Sequence, residues 1–381
     1  GLLLQTFIKL AGVQPGFDPN HVLTMQMSIE DSRMVGSANV GQMIERVSTR
    51  LETLNGVSDA GTTSTLPLHM GSDLPFLIIG RNTKPDDLPD ELTRYISPHY
   101  FAAMKMGIVG GRAFTSKDTL NAPRVAIVNE AFARKFFPHA SPLGERLLVG
   151  ASMGPLFADQ PREIVGIVAD TRERALSEPP TPVIFEPIAQ VPDLMIEAFV
   201  KEAPIQWVIR TAGDPMSAAD QIRRETLVAS GGIPVSDPQR LDDYVGNSIA
   251  QQRFLMSLLA CFAGLALFLG AIGIYGVISY GVAQRTRELG IRSALGAGRT
   301  ELLQMILRQG MAMAGIGLAL GLAASFGLTR FLQSMLYDVS PTEPRVIVAV
   351  TLLLGLVAMM ACLVPARRAS TVDPVIALRQ E

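Results

Sequence analysis

The sequence predicts an α+β domain outside the membrane joined to an α-helical transmembrane domain. Residues 16–238 alternate short strand-like and helix-like segments separated by Pro and Gly, which is typical of a soluble domain. Phe254–Gln284 contains no Asp, Glu, Lys or Arg, and neither does Gln309–Thr329. Since about 20 apolar residues in a helix cross a bilayer, both segments are long enough to span it. The arginine-rich segment Arg285–Arg299 lies between them.

The composition also differs between these two parts. Hydrophobic residues make up 48% of the 381 residues, charged residues make up 18%, and the mean hydropathy is +0.29. Residues 254–381 carry ten arginines, no lysine and six acidic residues, a net charge of +4, whereas residues 1–253 carry 23 basic and 29 acidic side chains, a net charge of −6. The polar part is acidic and has no basic cluster among aromatic residues, so nucleic acid is not an expected partner.

Cysteines and histidines give no pattern typical of catalysis, metal binding or a cofactor. Cys261 and Cys362 both fall in predicted spans, so we interpret them as small packing residues. The four histidines lack a ligand spacing such as HxxxH, and no Ser/His/Asp set can be assembled. The predicted spans contain no acidic, basic or histidine side chain, which argues against a proton relay or an ion site in the membrane.

The first residues, 1–15, are apolar up to Lys9 but too few to cross a bilayer. We expect them to be the outer end of a first transmembrane helix that begins upstream. A buried amphipathic helix of a soluble domain is the alternative.

Two β-α-β units are predicted at the two ends of the outer domain. The first comprises strand Val22–Ile29, helix Val40–Leu54 and strand Val57–Leu66. One face of that helix is apolar and contains Met43, Ile44, Val47, Leu51 and Leu54. The second comprises an extended Gln206–Arg210, a helix over Pro215–Val228 capped by Asp214, and an extended Ile233–Val235. Residues 16–69 and 201–238 are therefore predicted to form one lobe, into which residues 70–200 are inserted as a second lobe.

The inserted lobe is predicted to be rich in short strands. We expect strands at Arg124–Asn129, Glu163–Ala169 and Val183–Phe185, and a helix at Glu130–Phe137. The Gly-dense segment Val109–Arg112 lacks the lysine and the helix start of a phosphate-binding loop, so we predict a turn there.

A helical pattern follows Pro238 and continues into the first apolar run, because Leu241, Val245 and Ile249 repeat at four-residue spacing. A single helix from Leu241 to Tyr280 would be about 60 Å long at roughly 1.5 Å per residue. Such a helix would carry motion from the outer domain into the membrane. Two helices with a flexible joint near Gln251 and Gln252 are the alternative.

Residues 239–381 are predicted to form the transmembrane domain, with three spans at about 254–283, 309–329 and 346–365. Segment 284–309 contains five arginines and the tail 366–381 contains three, whereas the loop between the last two spans contains two. By the positive-inside rule, residues 284–308 and 366–381 are cytoplasmic and residues 16–238 lie outside.

Small residues recur along the spans at three- and four-residue intervals, and this spacing lets helix backbones approach closely in lipid. The predicted packing residues are Gly270, Gly273, Gly276, Gly317, Gly321 and Ser325. The alternative is that these glycines only reflect the higher glycine content of membrane helices.

Several long motifs resemble the FtsX-like/MacB-like permease family of bacterial ABC transporters. They are RTRELGIRSALGA at 285–297 before a glycine-rich span, PARRASTVDPVIALR at 365–379, GFDPNHVLTMQMSI at 16–29, VAIVNEAFARKFFP at 125–138 and EIVGIVADTRERALSEPP at 163–180. The resemblance covers essentially the whole chain. It is greatest to the C-terminal half of a duplicated orphan permease, whose first span ends in a segment similar to GLLLQTF.

The resemblance implies a two-lobed MacB-like periplasmic domain inserted between the first span and a three-helix FtsX-like bundle. It also implies that segment 285–299 is a coupling helix that docks on a separate ATPase, with Arg287, Glu288, Ile291, Arg292 and Leu295 in contact. Spacings of three and four place these residues on one side of a helix. A solvated charged loop that only fixes the topology is the alternative. No GxxxxGK[ST] motif occurs in the sequence, so ATP would be bound by the partner ATPase and not by this chain.

The family resemblance implies a non-catalytic, multi-pass subunit in the bacterial inner membrane that transmits ATP-driven motion to its outer domain for export or extraction. The expected partners are an ABC ATPase, a second copy or a covalently linked permease half, membrane lipids and a periplasmic adaptor. A signalling protein that activates a periplasmic partner such as a cell-wall hydrolase is the alternative function. The large outer domain favours transport, and no segment of the sequence identifies the substrate.

Overall fold

The structure is a computed structural model, which describes residues 12–69, 71–81, 87–154, 160–200, 203–248, 250–285, 288, 291–292, 298–329 and 344–370. The predicted first span, residues 1–15, lies almost entirely outside the described residues. The chain divides into an N-terminal unit, Val13–Ala250, and a C-terminal unit that begins at Gln251.

The N-terminal unit is built on one mixed sheet of eleven strands. In chain order they are β1 Val22–Met27, β2 Val57–Thr63, β3 Ser72–Ile78, β4 Asp90–Ile96, β5 Ile108–Gly111, β6 Val125–Asn129, β7 Arg146–Val149, β8 Arg162–Val168, β9 Val183–Pro187, β10 Ile205–Thr211 and β11 Gln239–Arg240.

Nine α-helices are described in the two units. They are α1 Ser37–Glu52, α2 Tyr100–Met104, α3 Glu130–Phe136, α4 Asp193–Met195, α5 Ala219–Ala229, α6 Leu241–Ser248, α7 Ala250–Gln284, α8 Arg299–Thr329 and α9 Pro344–Ser370. Short 3-10 turns at Ile188–Gln190 and Pro215–Ala218 and a π-helical turn at Ile196–Val200 complete the set.

The two ends of the outer domain together form one ferredoxin-like arrangement. The strand order begins β11-β1-β10-β2, and β10 is antiparallel to both β1 and β2. The first predicted β-α-β unit is thus a split one, since β10 comes from about 180 residues later in the sequence and lies between its two strands. Its helix α1 buries the predicted face, including Met43, Ile44 and Val47, against the sheet.

The second predicted β-α-β unit is confirmed only in part. The Asp214 side chain accepts a hydrogen bond from the Met216 backbone N–H, so the predicted cap is confirmed, and helix α5 follows the 3-10 turn. Ile233–Val235 is not a strand. It contributes a single bridge, Val235 to Met27, and the edge strand is β11 instead.

The middle of the chain continues the same sheet. After β2 the order is β4-β3-β7-β8-β6-β9, and β9 also pairs with β4 in parallel. The junction between the two parts of the sheet is narrow, because β2 meets β4 only at Thr63 and Ile96.

The predicted turn at Val109–Arg112 is wrong. Val109, Gly110 and Gly111 belong to strand β5, which pairs antiparallel with β8 through an irregular register. Gly111 has a φ of +70° and a Cβ there would lie 2.1 Å from the Val165 carbonyl oxygen. The glycines therefore allow a distorted edge strand to approach its neighbour closely. Turns and bulges both favour glycine, which is why the sequence alone did not distinguish them.

The core of the N-terminal unit also contains two fully buried ion pairs. Arg94 on β4 lies 3.1 Å from Glu173, and Arg162 on β8 lies 3.0 Å from Glu186 on β9. All four side chains are at most 2% exposed. Buried charges are tolerated only when paired and hydrogen-bonded. One pair therefore joins β4 to the loop that carries Glu173, and the other joins β8 to β9.

The described residues of the C-terminal unit include three helices long and apolar enough to cross a membrane, within Arg253–Gln284, Thr300–Ala324 and Val348–Arg367. The third span was predicted at 346–365, and its helix α9 continues beyond Pro365 to Ser370. The second was predicted to begin at residue 309, but α8 begins at Arg299. Segment Thr300–Arg308, which was expected in the charged turn, therefore forms the first turns of α8. The negative charge of Glu301 in the first turn stabilises the helix, because it interacts favourably with the positive end of the helix dipole.

Candidate functional site

The candidate coupling helix, 285–299, follows directly after α7. Glu288, Ile291 and Arg292 are helical, while Arg287 and Leu295 lie outside the described residues. Arg292 Nη2 donates to Glu288 Oε1 at 2.6 Å, an i,i+4 ion pair with both side chains about half exposed. Such a pair stabilises an isolated helix by about 0.2–0.5 kcal/mol.

Two of the described coupling residues contact the transmembrane helices. Arg292 Nη1 lies 3.2 Å from Met305 Sδ on α8, and Glu288 and Arg292 both line a cavity of about 350 Å³ against α7 and α8. Ile291 is absent from that lining and is 44% exposed. The charged pair therefore contacts the transmembrane helices, and Ile291 is an exposed apolar residue of the same segment.

Sequence reasoning missed Arg285 as a member of this site. Arg285 lines the same cavity as Glu288 and Arg292, at positions i, i+3 and i+7. This spacing, which places residues on one face of a helix, was a signal available in the sequence.

A small apolar cluster holds the ends of the three long helices together beside this cavity. It comprises Ile278 on α7, Leu302 and Ile306 on α8, and Cys362 and Ala366 on α9. Gly310 makes the closest approach, because a Cβ there would lie 2.5 Å from Cys362 Sγ. Cys362 is thus a buried packing residue, as predicted, whereas Cys261 is exposed within the chain.

Five of the six predicted packing positions make no such contact with the described residues. A Cβ at Gly270, Gly273, Gly276, Gly317 or Gly321 would meet nothing within 4 Å. The Ser325 side chain lies outside the described residues. A packing role for these residues stays a prediction, and the packing partner would have to lie outside the described residues, in this chain or in another.

One of the cavities in the outer domain, of about 430 Å³, lies beside strand β1. Thr24 and Gln206 line it together with His69 and with Tyr244 on α6. Burial raises the pKa of the Tyr244 hydroxyl, and the nearby buried Arg94 lowers it by less. The lining is mixed hydroxyl, amide and apolar surface, and across the described part of the chain no group of three or more His, Cys, Asp or Glu residues could hold a metal ion.

These features define a class of protein. It is an α+β domain joined in one chain to three apolar helices of spanning length, with a charged helical segment between the first two.

Comparison with known families identifies both parts. Residues 20–225, more than half of the chain, match the MacB-like periplasmic core domain, and residues 260–374 match the FtsX-like permease C-terminal domain. The chain belongs to the family of permeases that combine these two domains.

Two relatives illustrate the extent of the similarity. An uncharacterized ABC transporter permease, YknZ of Bacillus subtilis, is 26% identical over 77% of this chain and 70% of its own length. The macrolide export ATP-binding/permease protein MacB of Marinobacter nauticus is 27% identical over 73% of this chain and 42% of its own length. The chain thus spans about two fifths of the length of that MacB relative.

Similar solved structures are outer domains. The periplasmic region of MacB from Actinobacillus actinomycetemcomitans has a TM-score of 0.40 and 12% identity, covering 63% of this chain and 97% of that one. The extracellular domain of YknZ has a TM-score of 0.36 and 18% identity, covering 57% of this chain and 98% of that one.

Proposed function

We propose that this chain is the permease subunit of an ABC transporter of the mechanotransmission type. A separate ATPase hydrolyses ATP, and the permease converts that work into movement of its outer domain for export or extraction of a substrate. Residues 16–238 face the periplasm, and residues 284–308 and 366–381 face the cytoplasm. The functional unit contains two permease copies or a linked second half, in the bacterial inner membrane.

The observation that carries this proposal is the charged helical segment after α7. Glu288 and Arg292 pair with each other and contact α8 through Met305, while Ile291 is left 44% exposed at a helical segment between two apolar helices. An exposed apolar residue on a short helix whose neighbouring charged side chains contact the transmembrane helices suits docking into a protein groove. The segment would thus transfer force to α7 and α8.

The sequence and the family together favour a non-catalytic subunit. The sequence has no phosphate-binding loop, so ATP hydrolysis must come from another chain or domain. MacB, the relative from Marinobacter nauticus, is described as an ATP-binding/permease protein, and this chain resembles part of it. Transport relatives of this kind favour export over the signalling alternative.

The test is ATPase capture by the full-length protein. Tagged chain is purified from its own membranes, and captured ATPases are identified by mass spectrometry and by ATP hydrolysis. We expect Ile291→Asp to abolish capture, because it places a charge in the docking contact. Leu194→Asp is the matched control, since Leu194 is a 48% exposed apolar residue of the outer domain. Equal capture by Ile291→Asp and wild type, or no capture by wild type, would reject the proposal.

The ion pair provides a second arm of the same experiment. Glu288→Arg and Arg292→Glu each break the pair and place two like charges four residues apart, which destabilises the helix. The double variant Glu288→Arg/Arg292→Glu restores a pair with reversed direction. We expect capture to fall in each single variant and to recover in the double variant.

A further inference from the structure

The cavity between the coupling segment and helices α7 and α8 has an uneven charge. Among the described residues, two arginines line it, Arg285 and Arg292, together with a single acid, Glu288. Glu288 is 2.6 Å from Arg292 and neutralises it. Arg285 has no ion pair with any described residue, and its side chain is exposed. Within the part of the chain that the structure describes, the site therefore has one guanidinium without a counter-charge beside a second that Glu288 neutralises.

Neutral hydrogen-bond donors lie beside these arginines. Tyr280 Oη accepts a hydrogen bond from Gln284 Nε2 at 2.9 Å, which leaves its own hydroxyl hydrogen free to donate. Gln309 on α8 also lines the cavity and carries an amide with two donor hydrogens. Guanidinium, phenol and amide donors together suit an anionic oxygen ligand such as a phosphate.

The rest of the cavity is apolar and opens along the spans. Val277 on α7 and Met313 on α8 line it, and they are 57% and 43% exposed. They lie toward the membrane interior from Tyr280 and Gln309, so the cavity has a polar end at the helix termini and an apolar end within the spans. A ligand that fills both ends has an anionic head and a hydrocarbon chain.

We propose that this cavity binds an anionic phospholipid, with its phosphate at Arg285, Tyr280 and Gln309 and an acyl chain along Val277 and Met313. Basic pockets between membrane helices on the cytoplasmic side bind acidic headgroups in this way. The lipid would sit against Arg292 and Glu288 and so brace the coupling segment on α8. The choice of the cytoplasmic leaflet rests on the orientation given in the proposed function, whereas the binding itself does not depend on an ATPase.

The test is lipid retention by the full-length protein without any ATPase. The chain is reconstituted in vesicles of equal parts phosphatidylglycerol and phosphatidylcholine, extracted in detergent, and its bound lipids are counted by native mass spectrometry. We expect phosphatidylglycerol to be enriched on the wild type. Arg285→Gln should lower this enrichment about fivefold, since one basic side chain contributes about 1 kcal/mol to acidic-lipid binding.

Two controls separate a built site from general charge attraction. Arg308→Gln removes an exposed arginine of α8 that does not line the cavity, and it should leave the enrichment unchanged. Met313→Trp fills the apolar end without changing any charge, and it should lower retention. Equal loss in Arg285→Gln and Arg308→Gln, or full retention in Met313→Trp, would overturn the proposal.

A final arm distinguishes a lipid from a free anion. Soluble glycerol phosphate is added to the wild type before extraction. Unchanged phosphatidylglycerol retention supports a lipid site that needs the acyl chain, whereas displacement by the soluble anion would show a phosphate site and overturn the lipid assignment. Loss of ATPase capture in the earlier experiment would leave all of these outcomes unaffected, so the two proposals can fail separately.

Discussion

At the scale of single residues, breaking the buried pair Arg94–Glu173 should strongly destabilise the outer domain. Two nitrogens of Arg94 donate to Glu173 Oε2, and the Thr171 hydroxyl donates to Glu173 Oε1. Glu173→Gln leaves a buried guanidinium without its counter-charge, so we expect a loss of about 3–5 kcal/mol in the free energy of unfolding. Urea unfolding followed by fluorescence measures it, because Trp207 is the only tryptophan and is fully buried on β10.

An exposed pair in the same domain is the control. Arg174 and Asp73 lie 2.7 Å apart with side chains 32% and 38% exposed. Asp73→Asn should cost only about 0–1 kcal/mol, since exposed pairs are weak. Similar losses in Glu173→Gln and Asp73→Asn would show that the buried pair is not an important contribution to stability.

Asp18 predicts an acid dependence of stability. Burial raises its pKa, but hydrogen bonds from Lys105 and Asn20 and the charge of Arg210 outweigh burial and lower the pKa from 3.8 to about 2. A carboxyl with a depressed pKa in the folded state stabilises it fully above the unfolded pKa, and this contribution is lost as the pH falls from about 4 to about 2. Unfolding measured across this window should show a shallower pH dependence in Asp18→Asn than in wild type. Parallel curves would contradict the prediction.

These residues also show why side-chain roles were hard to predict. Arg94 and Arg162 belong to a residue type that is mostly exposed, and their partners Glu173 and Glu186 are 79 and 24 residues away in the sequence. A sequence pattern shows the periodicity of one segment but not which distant charge will face it. In the coupling segment, by contrast, the i,i+4 pair of Glu288 and Arg292 is local, and it could be placed on one helix face from spacing alone.

At the scale of elements, the contact glycine on α8 is Gly310 and not the repeated glycines beyond it. Gly310→Val would place a side chain on Cys362 Sγ, so we expect overpacking to cost about 1–3 kcal/mol. Gly317→Val, whose Cβ would meet nothing within 4 Å, should leave the stability of the single chain nearly unchanged. Thermal unfolding of the full-length protein in detergent compares the two variants. Equal destabilisation would mean that α8 packs differently.

The Gly317 variant also tests whether the predicted packing residues contact a second copy of the chain. If Gly270, Gly273, Gly276, Gly317 and Gly321 contact a second copy, Gly317→Val should reduce chemical cross-linking between differently tagged chains while Gly310→Val should not. Unaltered cross-linking in Gly317→Val would favour the alternative that these glycines are ordinary membrane-helix composition.

Elements with strong local patterns were predicted well, and pairings between distant segments were not. Strand β1, helix α1 and strand β2 begin close to the predicted positions because alternation and 3.6-residue periodicity are properties of the segment itself. The insertion of β10 between β1 and β2 is a tertiary pairing that no local pattern contains. The same holds for Val109–Gly111, where a glycine needed for a distorted edge strand was interpreted as a turn residue.

At the scale of the whole molecule, the proposed function requires a rigid connection between the outer domain and the membrane helices. Helix is present on both sides of Ile249, in α6 and α7, and Ile249 itself lies outside the described residues. The prediction of one continuous helix from Leu241 to Tyr280 therefore stays a prediction. Force can pass from the membrane helices to the outer domain only if the connection between α6 and α7 resists bending. The experiment should therefore change the stiffness of this connection.

We expect a paired substitution, Ala250→Gly with Gln251→Gly, to uncouple the two ends of the protein. Each glycine weakens a helix by up to about 1 kcal/mol, and two in succession favour a flexible joint. Ala250→Leu with Gln251→Glu, which keeps good helix formers at both positions, is the matched control.

The measurement is the ATP-dependent change in protease sensitivity of the outer domain, in the full-length permease with its captured ATPase. Both variants should capture the ATPase, because capture needs only the coupling helix. Only the control should show the ATP-dependent change, because that response requires a rigid helical connection to the outer domain. A full response in the glycine variant would show that the joint is already flexible and that movement reaches the outer domain by another route.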